Sequence, residues 1–401
     1  MSQLHKPFFS IVIPTKDRAS LLEDLLISIL DQEFKDYEII ISDNSDDCET
    51  ADALKKYSDK RIVYLKTGNF KMADNWNAGI EECSGEYLLI FSDKMVLKKG
   101  AFAYLHNFIK NKNPECVMWN IDAFYDKDKT FQKTPNVVNN LGNDFILADT
   151  LIPSIISTDF DAYQMPCHCN SAISMKLIDK IIAKSGKACF QLNPDYTLAY
   201  QISLQAEKIS LLPEDLTILR YPDQLGGYGN GTSFMQKGEV GKQFMIDNQD
   251  WSNRTDVYQD VPIKGNRFGF DIILKDLYQI LEKYEVDPDT IMSRDERLAH
   301  YYFFVYREIQ LRINMRIDMS EEMVLWDESL ALEPLALKNI VHLRISKERL
   351  LLKTQLIKIK IFIKSFSFFR YILSSIGDKI FRPRIIKYNS LNHCLQNTQI
   401  F

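Results

Sequence analysis

Between residues 8 and 121 the chain cycles four times through a short apolar run followed by apolar residues at helical spacing, then adds a fifth run. Phe8 to Pro14 reads FFSIVIP, a continuous apolar run suited to a buried central strand. Ser20 opens SLLE, a capping-box pattern, and Leu22, Leu25, Leu26, Ile29 and Leu30 follow at helical spacing up to Gln32. The pairing of strand with helix recurs over 37–42 and 49–57, over 61–66 and 72–82, and over 86–91 and 100–111, before a strand at 116–121. Strands alternating with helices predict an α/β fold, a mainly parallel sheet flanked by helices.

Residues 122–157 are mixed and polar and read as hairpin and loop. A strand over 167–174, a helix over 176–184, a helix over 194–208 and a strand over 209–212 follow. Leu225 to Ser233, LGGYGNGTS, holds four glycines in nine residues, the composition of a mobile loop, a lid or a linker. Helical spacing returns over 268–284 and 294–314. The expected organisation is an α/β domain over 1–240, a helical subdomain over 241–340 and a tail over 341–401.

The formal net charge of −5 conceals an asymmetry. Residues 344–387 carry twelve Lys or Arg against Glu348 and Asp378, a net +10 that leaves −15 on the remainder. On a helical projection Arg349, Lys353, Lys360 and Lys364 share one stripe, while Leu352, Leu356, Ile359, Ile363 and Phe366 occupy other faces. A basic, apolar helix of this kind suits an anionic headgroup layer, or packs on the body or on a second copy. Nucleic acid is not expected, because no reading motif accompanies the charge and an acidic body repels a polyanion. No run of about 18 apolar residues occurs, and the first residues are punctuated by charge where a secretory signal needs an apolar stretch. Seven cysteines without a repeating interval fit reduced thiols. These features predict a cytoplasmic protein, peripheral on the inner face of a membrane.

In an open α/β sheet, ligands sit just past the carboxyl ends of the strands. Three polar clusters fall there: Thr15, Lys16, Asp17 and Arg18 after the first strand, Asp43 to Asp47 after the second, and Ser92, Asp93 and Lys94 after the fourth. Any one of them alone is ordinary loop and helix-cap chemistry. Cys167, His168 and Cys169 lack the spacing of a zinc site and read as a packed strand or the wall of a pocket. No Gly-Lys-Ser/Thr phosphate loop is present and no GxGxxG follows the first strand, which disfavours P-loop and dinucleotide enzymes.

IVIPTKDR, EIIISDNSDD and DNWNAGIEECSGEYLLIFSDK, taken in order, resemble the motifs of the inverting, family 2-like glycosyltransferases with the GT-A (nucleotide-diphospho-sugar transferase) fold. The resemblance covers roughly residues 8–225. It implies a GT-A-like sheet of Rossmann type with a C-terminal helical extension. It also implies that Pro14 and Thr15 lie against a nucleoside and that Asp43 accepts hydrogen bonds from a base such as uracil. Asn75 and Asn77 are implied near ribose and diphosphate, with Gly79 letting their helix pack closely. Asp17, Arg18, Ser45, Lys71 and Ser92 complete the expected donor site. The family's Asp-x-Asp motif, which helps hold Mg²⁺ or Mn²⁺ against the diphosphate, is reduced here to Asp93, with Lys94 beside it. One carboxylate beside an ammonium is a poor divalent site, so the expectation is that no metal is required and that Lys94 offsets diphosphate charge, with Lys16, Arg18 or Lys71. Asp93 and His168 are the candidate ligands should a metal bind. The family's general base, at a helix start, corresponds to Asp195 in Asn193-Pro194-Asp195.

The resemblance therefore implies transfer, with inversion, of a sugar from a nucleotide-diphosphate donor, expected to be UDP-linked, to a glycan or lipid-linked acceptor in surface polysaccharide synthesis. A non-catalytic sugar-nucleotide or glycan-binding scaffold is the alternative. A nucleotidyltransferase is disfavoured because Pro14 to Asp17 lacks the glycines of that class's loop.

Overall fold

The computed structural model describes residues 6–133, 144–153, 165–190, 193–221, 237–247, 261–265, 267–348, 350, 385–387 and 390–398. Strands β1 (Phe9–Thr15), β2 (Tyr37–Asp43), β3 (Ile62–Lys66) and β4 (Tyr87–Ile90) alternate with helices α1 (Ala19–Leu30), α2 (Glu49–Leu54) and α3 (Met72–Glu81). Strand β5 (Met95–Leu97) and helix α4 (Ala101–Lys112) lead to β6 (Cys116–Met118), β7 (Ile121–Tyr125), β8 (Thr130–Gln132) and β9 (Phe145–Leu147). After β10 (Ser171–Ser174) come helices α5 (Met175–Ser185) and α6 (Pro194–Gln205), then β11 (Lys208–Leu211) and β12 (Thr217–Tyr221).

The expected mainly parallel, helix-flanked sheet is present. Its order is β3-β2-β1-β4-β10-β6-β11-β9, with β1, β2, β3 and β4 parallel. All seven residues of β1 are buried, as the unbroken apolar run requires of a strand covered on both faces. Alternate β1 residues serve opposite faces. Ile11 and Ile13 join Leu22, Leu25, Leu26 and Ile29 of α1 in one core, whereas Val12 joins Ala73, Trp76 and Ile80 of α3 in the other.

Gly79 marks where α3 crosses closest. A Cβ there would lie 2.6 Å from Val12 Cγ1 and 3.1 Å from Ser42 Oγ. Alanine at a helical glycine gains about 1 kcal/mol of propensity, while overpacking a core costs about 1–3 kcal/mol. Val12 is fully buried and has no room to retreat, so the clash wins. Gly79→Ala is expected to lower stability by up to about 2 kcal/mol in urea unfolding; a variant more stable than wild type would show that α3 is free to shift.

Two expectations are corrected by local chemistry. The strand expected over 116–121 splits, because β6 ends at Met118 and β7 enters a second sheet that also holds β8, β12 and β5. The strand expected from 167 begins only at Ser171. Asn170 accepts from the Cys167 amide at 2.8 Å and donates to the Met165 carbonyl at 3.1 Å, a local pairing that competes with the ladder. Strands β5 and β12 are too short to be read from periodicity and are held by their ladders, β5 with β12 and β12 with β7.

The C-terminal part is helical, as expected: α7 (Glu239–Asp247), α8 (Gly269–Lys283), α9 (Arg294–Asn314), α10 (Ser320–Ala331) and α11 (335–348). The 340 boundary falls inside α11, whose Leu337, Val341 and Ile345 enter the same core as Leu277 and Tyr302. Strand β13 (Ile385–Lys387) pairs antiparallel with β8, and α12 (Leu391–Asn397) brings Cys394 against Phe124 and Ile218. The stretch 341–401 is thus not one free arm. The glycine-rich segment 225–233 and the basic stripe from 349 to 364 lie outside the described residues. Among the described residues, no helix is long and apolar enough to cross a membrane.

Candidate active site

Parallel pairing of β1 with β2 and β4 delivers the three polar clusters to one edge of the sheet, and the loops are then tied to one another. The Asp17 amide donates to Ser45 Oγ at 2.7 Å, and Asp17 adopts φ +55°, a left-handed conformation uncommon outside glycine. Ser45 in turn donates through its amide (2.9 Å) and its hydroxyl to Asp43 Oδ1. Tyr64 OH donates to Asp43 Oδ2 at 2.8 Å, and the Lys66 ammonium lies 3.5 Å from the same oxygen. Burial pushes the Asp43 carboxyl up, but the Ser45, Tyr64 and Lys66 contacts outweigh it and hold the group below its usual value. Tyr64 and Lys66 were not foreseen in the sequence; their signal is the register, which sets Lys66 opposite Asp43.

Asp43 is fully buried, so in this structure it organises the loops after β1 and β2. Asn75 and Asn77 are likewise engaged internally. Asn75 donates to the Ser42 carbonyl at 3.0 Å and accepts from Thr67 at 2.6 Å, whereas Asn77 exchanges two hydrogen bonds with the Cys189 backbone. Lys71, at the start of α3, is exposed, and Pro14 is buried in β1.

Asp93 is fully buried and accepts from Thr15 Oγ1 at 2.8 Å, with Arg18 Nε 2.9 Å from the same Oδ2. Ser92 Oγ lies 3.4 Å from the other oxygen. Lys94 forms no ion pair among the described residues. Burial lowers its pKa, the Arg18 charge lowers it further, and Asp93 and Cys169 oppose. Two cations, one carboxylate and partial desolvation make a place where an added anion is favoured.

Strand β10 runs antiparallel to β4, so the chain leading into β10 arrives at the same edge where β4 ends. This places His168 beside the cluster, its ring edge-on to Trp76 at 5.1 Å. His168 Nδ1 is 3.5 Å from Asp195 Oδ2 and is a buried nitrogen without a hydrogen-bond partner among the described residues. Burial lowers the imidazole pKa, Asp195 opposes, and Lys94 adds to the lowering. Asp195 stands in the first turn of α6 behind Pro194, with a quarter of its side chain exposed. Lys94, His168, Asp93 and Asp195, spread over about a hundred residues of sequence, therefore share one edge.

The donor set does not fit a divalent ion. Oδ2 of Asp93 already faces a hydroxyl and a guanidinium, an ammonium follows in sequence, and burial pushes the flanking Cys167 thiol up to about 12. Among the described residues, no three His, Cys, Asp or Glu side chains are grouped to hold a metal.

Residues 10–182 match the family model "Glycosyl transferase family 2". Over 103 residues the chain is 38% identical to a GalNAc(5)-diNAcBac-PP-undecaprenol beta-1,3-glucosyltransferase of Campylobacter jejuni, covering 25% of this chain and 33% of that one. It is 33% identical over 98 residues to a validoxylamine A glucosyltransferase of Streptomyces hygroscopicus, covering 23% of each. The match thus spans a third or less of these relatives' length. Among solved structures, S. aureus TarS 1–349 in complex with UDP-GlcNAc aligns with 85% of this chain and 92% of its own, at 14% identity and a TM-score of 0.46.

Proposed function

Taking as premise that residues 10–182 belong to glycosyl transferase family 2, we propose that this protein transfers a hexose from a nucleoside-diphosphate sugar, with inversion, to a glycan or lipid-linked acceptor. The observation that carries the reading is the shared edge. A cationic pair, Arg18 and Lys94, stands at one side and an accessible carboxylate, Asp195, at the other, with His168 between them.

In this reading the base and ribose rest on the loops that Asp43, Ser45, Asp17 and Asn75 hold in register, and the diphosphate lies toward Arg18 and Lys94. Asp195 takes the proton from the acceptor hydroxyl as that oxygen bonds to the anomeric carbon, on the face opposite the nucleotide. The bond from the anomeric carbon to the phosphate oxygen breaks, and the charge growing on the leaving diphosphate meets fixed cations. His168, kept neutral by burial, adds no charge between the two partners. A UDP-linked donor and a diphospholipid-linked acceptor, as in surface polysaccharide synthesis, are the finer form of the proposal; the name of the Campylobacter relative supports the acceptor class. The basic segment 344–387 supports contact with an anionic inner-membrane surface.

A panel of UDP- and GDP-hexoses, read by thermal shift and by nucleoside-diphosphate release with and without EDTA, tests the reading. One donor at 100 times its Kd is expected to stabilise the fold by about 2.7 kcal/mol and to be turned over. Stabilisation without turnover even when acceptors are supplied favours the scaffold, and no shift with any donor removes the proposal.

A further inference from the structure

We propose that Asp276, on α8 of the C-terminal helical part, is a positioning residue that sets the reach of Asp195 by holding Asn193. The inference rests on the reading of Asp195 as the base. Asn193 occupies the N-cap position of α6, where an asparagine ordinarily caps its own helix, yet its side chain makes no cap bond. Its Nδ2 instead donates to Asp276 Oδ2 at 2.8 Å. Asp276 is fully buried, and its other oxygen, Oδ1, has no hydrogen-bond partner among the described residues.

An isolated ionised carboxylate is not tolerated in such a place. Burial drives the Asp276 carboxyl well above its usual range; the hydrogen bonds from Asn193 oppose this, and the Asp195 charge adds to it. Burial therefore favours the neutral acid over the carboxylate. Neutrality also protects the base, because a second negative charge beside Asp195 would favour its protonated form and remove the proton acceptor. The backing is rigid: α8 and α6 share a core through Tyr200, Leu274 and Leu277, and Tyr200 OH donates to the Ile273 carbonyl at 3.3 Å. The helical part thus belongs to the catalytic unit, since it fixes the turn from which Asp195 projects.

Asn193→Ala, Asp276→Ala and Asp276→Asn, measured with UDP-glucose as probe donor and UDP release as readout, test this. The first two are expected to lose about 10- to 100-fold in kcat with little change in donor KM, the signature of a misplaced group rather than lost binding. Asp276→Asn keeps a carbonyl acceptor for Asn193 without a charge and is expected to restore near wild-type kcat. A second readout needs no turnover: the NMR titration of the His168 imidazole, which the nearby Asp195 charge supports. It should move to lower pH in Asn193→Ala and Asp276→Ala, as in Asp195→Asn, and stay in place in Asp276→Asn. Should Asp276→Ala fail to fold, the partly exposed Asn193→Ala carries the test.

Unchanged kcat and an unmoved His168 titration in Asn193→Ala overturn the proposal, as does a titration insensitive to Asp195→Asn. A wild type that does not turn over UDP-glucose bears on the proposed activity alone, because the His168 titration still decides whether Asn193 and Asp276 place Asp195.

Discussion

Asp195→Asn is expected to bind donor as the wild type does and to transfer about 10² to 10⁴ times more slowly, the usual size of a general-base contribution. The substitution keeps the shape of the side chain and removes its capacity to take a proton. Because Asp195 is partly exposed at the start of α6 and makes no side-chain hydrogen bond among the described residues, the melting temperature should barely change. His168 Nδ1, 3.5 Å from its Oδ2, is not aligned as a hydrogen bond, so that contact is not an anchor for the helix. The measurement is initial rate under saturating donor and acceptor, with donor affinity by calorimetry. A wild-type rate in the Asn variant would move the base elsewhere, and the role given to Asp276 would go with it.

Lys94→Ala is expected to reduce kcat by about 10²- to 10³-fold, the scale on which a fixed group facing transition-state charge contributes. Its effect on stability has the opposite sign. The folded-state pKa of Lys94 lies below the unfolded value because burial and Arg18 disfavour the ammonium, so the wild type carries a cost for keeping that charge at neutral pH. Removing it should leave the fold as stable or slightly more so. The same depression sets the pH behaviour: as pH rises through the lowered pKa the ammonium is lost, so wild-type turnover should decline at a pH below that of an ordinary lysine, and the Ala variant should lack that limb. EDTA is expected to leave the wild-type rate intact. Abolition by EDTA with rescue by Mn²⁺ would make Asp93 a ligand after all, with His168 the other candidate. Lys94→Asp, which places two carboxylates side by side, is the variant expected to acquire metal dependence.

Fold legibility followed length of pattern. Long periodic segments such as β1, α1 and α9 were readable because each residue adds an independent vote for the same face. Three-residue strands such as β5 carry too few residues to vote, and they form because a neighbour supplies the ladder. The Asp43 site was readable only in part. Its carboxylate stands at a strand end, but the donors from Tyr64 and Lys66 come from a strand whose alternation gives no hint of what it faces. The tail shows the same limit from the other side. Composition places the start of the tail at 341, whereas Val341 and Ile345 are buried because α11 lies against α8 and α9.

By itself the sequence determined the alternation of β1 to β4 with their helices, the three polar clusters at strand ends and the lysine beside Asp93 where the family it resembles carries a paired acid, since each is a property of residues close together along the chain. The tertiary structure alone decided that β10 inserts antiparallel beside β4, which carries His168 to the Asp93 edge, and that Asp276 reaches Asn193 across 83 positions. Such contacts depend on which faces the helices bury and on the direction in which a strand joins the sheet. Neither is encoded in local spacing, because both are settled only when distant apolar surfaces are removed from water together.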